Sequence, residues 1–557
     1  MMNEVRQKLI ESLSDTVKQL WGQTVTPEIL IPDDFEFGDL ATNAAFQLAS
    51  LVKKAPKTIA QEIVDNIELP EDIAIAEPAG AGYVNFRYSE QFLHDMLAEI
   101  ISEPEDFGKL NLGANERIQI EYVSANPTGP LNVVSARAAA VGSSLINILR
   151  HAGYNVDGEY YLNDAGGQVE MLHESFLARI RQGAGLDWEI PPEDGYHGEY
   201  LKDLATRYAD SSPKEYRKLI ETWEKDEEPN SAHAREWVLN ELIASIKTDL
   251  QEFNTNFDRF FSEAKFRESG KVESVLDRLR EQDSLIEKEG AVWFAADKFD
   301  DREEPFVLVK SDSEYAYAAV DIAYHQDKFD RGYERVFDIW GPDHHGHIGR
   351  MKAAMKALGH EGKFDVLTLQ QVNLLESGEK LVMSKRTGNI VTLRELIEDV
   401  GVDVARYFFI ARRMEAHLDF DLDLAREESE ENPVFYIQYA HARICNILKF
   451  AENQGIEPKS AGRKELSALT EPEELILARK LAVWPDIVRK SAEEMAPHNV
   501  CFYLLELAKL FHPFYAKHRV VGEDKAVTLA RVALCRALKE AIALGLGLLG
   551  ISAPENM

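Results

Sequence analysis

Four stretches place reactive residue types at spacings that could do chemistry. In the first, Ala125-Asn126-Pro127-Thr128-Gly129-Pro130 interrupts the chain between a strand-like segment, Arg117 to Ser124, and a helical one from Ser135 to Gly153. Pro and Gly stop the strand, and a strand–tight loop–helix unit turns backbone N–H groups and a positive helix end toward a phosphate. The second stretch, Gly341 to Arg350, bunches Asp343, His344, His345 and His347 just after a hydrophobic strand. Those side chains could suggest a metal centre. Two adjacent histidines and a third two residues on do not share one helix face, however, so a polar rim at the carboxyl edge of a sheet is preferred. The third, Gln370 to Asn389, carries Lys380, Lys385 and Arg386 on a glycine-containing loop. Cations there can stabilise charge on a departing phosphate group, although a solvated loop carries the same residues. The fourth places Tyr317 and Asp321 one helical turn apart, which alone reads as a surface pair.

Positioning these residues requires several domains, since 557 residues exceed one ordinary core. Residues 1–112 read as a small α/β module, with helical patterns over 3–20 and 40–65 and a glycine-entered strand from Ala79 to Arg87. Residues 113–430 read as a parallel-sheet domain: Ile118, Ile120 and Tyr122 alternate as in a half-buried strand, and Glu159 to Asp164 completes a strand–helix–strand crossover. Further strands are expected at 291–296, 305–311 and 336–341, so that about 170–300 is an insertion between two halves of the sheet. Residues 431–557 have helical period almost throughout and read as a helix bundle. Thr392 with Glu395 forms a capping box for the helix after the third stretch.

A net charge of −34 opposes nucleic-acid binding except through local patches, and the acidic excess lies upstream of residue 431. Cys445, Cys501 and Cys535 suit a reducing compartment and lack metal-ligand spacing. The start is an amphipathic helix rather than a signal peptide, and no apolar run is long enough to span a membrane. A cytoplasmic protein without a membrane association is expected.

In chain order, SANPTGPL, YYLNDAGGQ, FFSE, DIAYH, DIWGPDHHGH, VMSKR, HLDFDLDLA and NPVFYIQYAHAR resemble the class I arginyl-tRNA synthetases. FGDLATNAA near the start and LLGISAP near the end extend the likeness over essentially the whole chain. The resemblance implies a Rossmann-type catalytic domain between an N-terminal tRNA-contacting α/β module and a C-terminal anticodon-binding helix bundle. It implies ATP-dependent attachment of arginine to tRNA(Arg) through an arginyl-adenylate, with Mg2+ carried on ATP, no structural metal, and a monomer. By similarity, Glu121 and Asn126 hold the amino-acid end of arginine, and Glu263, Tyr317 and Asp321 receive its guanidinium. One further contact falls on Asp343 or His344. A planar five-donor guanidinium suits paired carboxylates and a phenol oxygen in a way lysine cannot imitate. The ATP site implied comprises Pro127, Thr128, Gly129, Asn132, Ser135, Gly341, His344, Val372, Met383, Lys385 and Arg386. Asn132, Ser135, Ser384 and Lys385 take the catalytic places. For tRNA, an electropositive bundle face is expected from Arg443, Lys449, Lys517 and Arg519, with Tyr436, Tyr439 and Tyr515 available to stack on bases. The crossing from His417 to Ala425 is expected to couple anticodon contact to the active site.

The signature from Ala125 to Ser135 departs from the family. Where the family has His-X-Gly-His, this chain has Asn132-Val133-Val134-Ser135, and Val382 stands at the first lysine position of the second loop. Asn and Ser still donate hydrogen bonds, as neutral groups, while Val134 crowds a nucleotide that glycine would admit. An active enzyme with a remodelled ATP end is the favoured reading. The alternatives are a catalytically silent arginine or tRNA sensor, a metal-dependent hydrolase or nucleotidyltransferase around Asp343 to His347, and an RNA-binding scaffold.

Overall fold

The computed structural model describes residues 2–32, 34–186, 195–381, 391–457 and 461–557. At its centre is a five-stranded, wholly parallel sheet. Its strands are β1 (Arg117–Glu121), β2 (Asn155–Leu162), β3 (Arg259–Ser262), β4 (Arg335–Trp340) and β5 (Phe364–Thr368), in the spatial order β5-β4-β1-β2-β3. Helix α1 (Val133–His151) makes the β1-to-β2 crossover, α2 (Tyr317–Asp330) leads into β4, and α3 (His345–Ala357) connects β4 to β5. Parallel strands need such crossovers, and helices then cover both faces of the sheet. Accordingly β1 is not half-buried as its alternation predicts: Ile118, Gln119, Ile120 and Glu121 are all buried. Helix α1 lies close enough on the sheet that a Cβ on Gly142 would meet the Tyr122 ring at 2.4 Å.

The expected insertion needs correction. β3 falls inside the 170–300 segment yet pairs with β2 as an edge strand of the central sheet. Ala291–Phe294 and Phe306–Val309, expected to rejoin that sheet, instead form a separate antiparallel sheet with Leu285–Lys288. Short apolar runs reveal a strand without revealing its partner. The helices Gly167–Gly183, Tyr200–Ser211, Pro213–Trp223 and Ala232–Glu252 share their own core around Phe176, Tyr208 and Val238.

In the N-terminal module the helical stretch expected over 40–65 is divided into Ala44–Val52 and Pro56–Asn66. Lys53 ends the first helix in a left-handed conformation and Pro56 starts the second. The strand expected at 79–87 is Tyr83–Tyr88, in an antiparallel sheet of order Ile29–Leu30, Leu40–Thr42, Tyr83–Tyr88, Ile73–Ala79. The bundle contains α4 (Pro433–Asn453), α5 (His498–Lys517) and α6 (Lys525–Leu548). One apolar core runs from Val5 in the first helix through Ile118 and Ile148 to Leu546 in α6. No helix among the described residues is long and apolar enough to cross a membrane.

Candidate active site

Register sets the first layer of the site. Glu121 of β1 is level with Asp338 of β4 on one side and Glu159 of β2 on the other, so three carboxylates lie abreast toward the carboxyl end of adjacent strands. Clefts for ligands form at that end of parallel sheets. All three residues are buried, and each has a basic partner from α2 or the turn after it. Lys328 Nζ donates to Glu121 Oε2 at 2.7 Å and to Asp338 Oδ1 at 2.8 Å, while Arg331 donates to both oxygens of Glu159 at 2.5 and 2.8 Å.

The loop after β1 is held from several sides. Val123 and Ser124 have positive φ (69° and 38°) without being glycine, a strained conformation that surrounding contacts must enforce. Ser124 Oγ donates to Glu121 Oε1 at 2.9 Å and accepts from Tyr161 N at 3.1 Å. Tyr160 Oη donates to the Ala125 carbonyl at 2.7 Å. Tyr200, at the start of a helix in the inserted segment, donates to the Thr128 carbonyl, and its ring closes over Gly129. Pro127, Leu131 and Val133 are buried, Thr128, Gly129 and Ser135 half-buried, and Asn126 and Pro130 exposed.

Helix α1 begins at Val133, two residues earlier than expected. Its cap is Asn132, whose Oδ1 accepts from Val134 N and Ser135 N, both at 3.0 Å. Asparagine is among the strongest N-caps, so the departure from the family signature has a structural role at this helix end. Val134 is 41% exposed. Asn132 is also bridged to Thr392, and Leu393 N donates to the Leu131 carbonyl at 2.8 Å. The expected capping box is present: Thr392 Oγ1 accepts from Glu395 N, and Glu395 Oε2 accepts from Thr392 N.

Glu263 opens the short helix Glu263–Arg267, is 5% exposed, and accepts from Arg267 Nε at 2.7 Å. Burial raises its pKa; Arg267 opposes that shift, and the charges of Asp321 and Asp164 add to it. Asp321, on the first turn and a half of α2, pairs with His347 Nε2 at 3.3 Å, and the His347 ring stacks on Trp340. Tyr161 relates the three sequence-assigned acids. Burial raises its pKa, and the charges of Glu263, Asp321 and Glu121, from three separated segments, add to that shift. Tyr317 stands apart: it is 76% exposed at the start of α2, unlike the packed phenol its assigned role suggests.

Asp343 and His344 lie exposed on the 3-10 turn Pro342–His344 after β4 and Gly341. Among the described residues Asp343, His344 and His347 form no group of converging ligand atoms; Glu121, His325 and Asp338 do, within 4.8 Å of one another. Val372 is buried in a strand, Val372–Glu376, that pairs in parallel with Leu418–Asp421. Lys380 is exposed on a hairpin arm. Val382, Met383, Ser384, Lys385 and Arg386 lie outside the described residues. Within the expected crossing segment, Asp421 caps the helix Leu422–Arg426 and Asp419 accepts from Asn373 Nδ2 at 2.7 Å.

In the bundle, Arg443 lies between the rings of Tyr439 (4.6 Å) and Tyr515 (4.8 Å), and Tyr436 packs on His512. Three of the basic residues expected on the bundle's electropositive face have partners within the chain. Lys517 pairs with Glu473 and Lys449 with Glu555, while Arg519 Nε donates to the Val521 carbonyl.

Lys328, Asp338, Ser124 and Tyr200 were not foreseen in the sequence. A lysine in a mixed-charge helix reads as a surface residue, and nothing local shows that Asp338 lies level with Glu121.

Three family profiles match the chain: an arginyl tRNA synthetase N-terminal domain over residues 3–88, the catalytic domain of class I (R) tRNA synthetases over 96–415, and a DALR anticodon-binding domain over 437–557. An arginine–tRNA ligase from Desulforamulus reducens is 44% identical over 95% of this chain and 94% of its own length. One from Shouchella clausii is 43% identical over 100% and 98%. The arginyl-tRNA synthetase structure from Thermus thermophilus shares the fold, with a TM-score of 0.75 at 23% identity over 99% of this chain and 100% of that one. With a catalytic-domain profile over more than half its length and full-length relatives above 40% identity, the chain belongs to the class I arginyl-tRNA synthetases.

Proposed function

We propose that this protein joins L-arginine to tRNA(Arg) in two steps: arginine and ATP form arginyl-adenylate and pyrophosphate, and the arginyl group then passes to the terminal ribose of the tRNA. The observation that carries the reading is the position of Glu121, buried at the carboxyl end of β1 and bonded to Ser124 of the loop that runs into the Ala125–Pro130 turn, with the charges of Glu263 and Asp321 acting on Tyr161 of the neighbouring strand. Glu263 and Asp321 receive the guanidinium, with Tyr317 folding in from its exposed position; Glu121 and Asn126 receive the amino-acid end. Asp343 or His344 adds a contact from the turn after β4. Pairing a fork of N–H donors with carboxylates discriminates against ornithine and citrulline, either of which leaves a buried acceptor unmatched.

At the ATP end, Pro127, Thr128, Gly129, Asn132, Ser135, Gly341, His344 and Val372 form the described part of the nucleotide site, and Met383, Ser384, Lys385 and Arg386 complete it from the second loop. With Oδ1 of Asn132 committed to the helix cap, its amide nitrogen is the donor left for a phosphate oxygen. Mg2+ enters as part of the ATP substrate. Tyr436, Tyr439, Arg443, Lys517 and Arg519 form the anticodon-side surface, on which Lys517 must leave Glu473 to meet a phosphate. The enzyme acts as a cytoplasmic monomer. Arginine-dependent exchange of pyrophosphate into ATP, measured with and without tRNA(Arg), tests the reading. Exchange with arginine alone among the twenty amino acids supports it; retained arginine binding with no exchange favours the silent sensor.

A further inference from the structure

Lys328 is fully buried, although burying a charge costs several kcal/mol unless its partners compensate. It has two carboxylate partners, Glu121 and Asp338, and lies 4.5 Å from the Tyr324 ring. Glu121, His325 and Asp338 bring ligand atoms together at a spacing that could hold a metal ion, but the lysine ammonium sits on two of the three. The cation at this spot is therefore part of the chain. His325 extends the arrangement: Nε2 bonds Asp338 Oδ2 at 2.6 Å and Nδ1 bonds the Asp321 carbonyl at 2.7 Å.

The two carboxylates are not equally satisfied. Burial alone would raise the Asp338 pKa, yet Lys328 and His325 together hold it at about 2. For Glu121, burial outweighs Lys328 and the pKa lies above the ordinary carboxylate value. Glu121 is thus the acid that gains most from another cation, and its side chain is the one of the pair with exposed surface, 12% against 1% for Asp338. The charged and titratable groups facing it are Glu159 and Tyr161 on β2, Asp338 on β4, and Tyr324, His325 and Lys328 on α2. Glu159 is itself engaged by Arg331 and Tyr324 Oη.

We infer that Lys328 is a positioning residue for the amino end of arginine, its ammonium pinning Glu121 Oε2 while Ser124 pins Oε1, so that the carboxylate faces the α-ammonium ionised and in one orientation. The inference rests on Glu121 receiving that ammonium. It makes α2 a single rigid spacer between the two ends of the substrate: Tyr317 and Asp321 near its start address the guanidinium, and Lys328 near its end fixes Glu121.

Lys328→Met keeps an unbranched side chain, one atom shorter, and removes its charge. Glu121, buried and without its main counter-charge, then takes up a proton near neutral pH, which the arginine ammonium must displace. Binding of arginine and of 5-guanidinopentanoate, which lacks the α-amino group, is measured by calorimetry on the full chain from about pH 6 to pH 8. In the native protein the ratio of the two affinities is large and independent of pH. In the variant the ratio falls with decreasing pH, by up to about tenfold per unit, while 5-guanidinopentanoate binding matches the native protein. Equal weakening of both ligands with a pH-independent ratio would reduce Lys328 to a packing role. If the variant does not fold, the native protein still decides: a ratio that falls with decreasing pH there shows that Lys328 does not keep Glu121 ionised. Native protein that binds both ligands equally overturns the assignment of Glu121 itself.

Discussion

Asn132 occupies a position where two demands compete. Its side-chain oxygen closes the N-terminus of α1 through two backbone N–H groups, and in the function proposed above its amide is the remaining donor toward ATP. Asn132→Ala removes both functions, so thermal unfolding should show a loss of about 1 kcal/mol and pyrophosphate exchange a fall in kcat on the order of 10²-fold. Asn132→His separates them: the imidazole restores a stronger donor at the cost of the cap, and exchange should rise while stability falls. A variant that loses both would show that the catalytic site here is no longer built around this position. Glu263 gives a second test at the same scale. If Glu263 receives the guanidinium as proposed, Glu263→Gln replaces a charge-assisted contact by a neutral one, and the arginine KM should rise on the order of 10–10²-fold. The KM for ATP, bound at the other end, should stay where it is.

At the scale of elements, the β1–loop–α1–β2 unit was legible because its local signals agree: alternating apolar residues, a Pro/Gly break, helix formers, a second strand. The Thr392–Glu395 capping box was legible for the same reason, being written within four consecutive residues. Strand order was not, since register between β1 and β4 is set by crossover packing across more than two hundred residues of chain, and β3 looked like part of an insertion for that reason. Lys328 was hidden in the same way: only the sheet beneath α2 shows that this lysine points inward. Arg406 is another such case. Fully buried, it donates to the carbonyls of Leu549 and Phe253 and to Ser143 Oγ, each at 2.8 Å, tying α1, the end of the inserted helices and the end of α6 to one guanidinium. Gly550, at φ 67°, lies so near it that a Cβ would come within 2.5 Å of Nη2. Arg406→Met leaves those acceptors buried without donors and should destabilise the protein by about 1–3 kcal/mol for each of them in denaturant titration. Arg406→Lys, a point charge with no planar fork, should recover only part of this.

Across the whole molecule, the N-terminal module meets the bundle through charges as well as the shared apolar core. Arg6 of the first helix pairs with Asp486 at 2.6 Å, and Arg479 with Asp39 at 3.5 Å. Asp486 is the informative member: burial pushes its pKa from 3.8 to about 6 despite Arg6 and Arg489. A folded-state value above the unfolded one means that the native protein binds more protons between those two pH values, so this group's contribution favours the folded state less as pH rises through that window. The shift of roughly two units corresponds to about 3 kcal/mol. Asp486→Asn removes the titration while leaving Arg6 without its anion, a cost that does not vary with pH over this range. The stability difference, native minus variant, should therefore decline by up to about 3 kcal/mol between pH 4 and pH 6.5 and then level off. Because the same ion pair joins two domains, limited proteolysis at the two pH values locates the effect: faster cleavage within residues 1–112 at the higher pH, in the native protein alone, places it at the module–bundle interface. A native–variant difference that grows with pH would mean that Arg6 stabilises the Asp486 carboxylate by more than burial costs it.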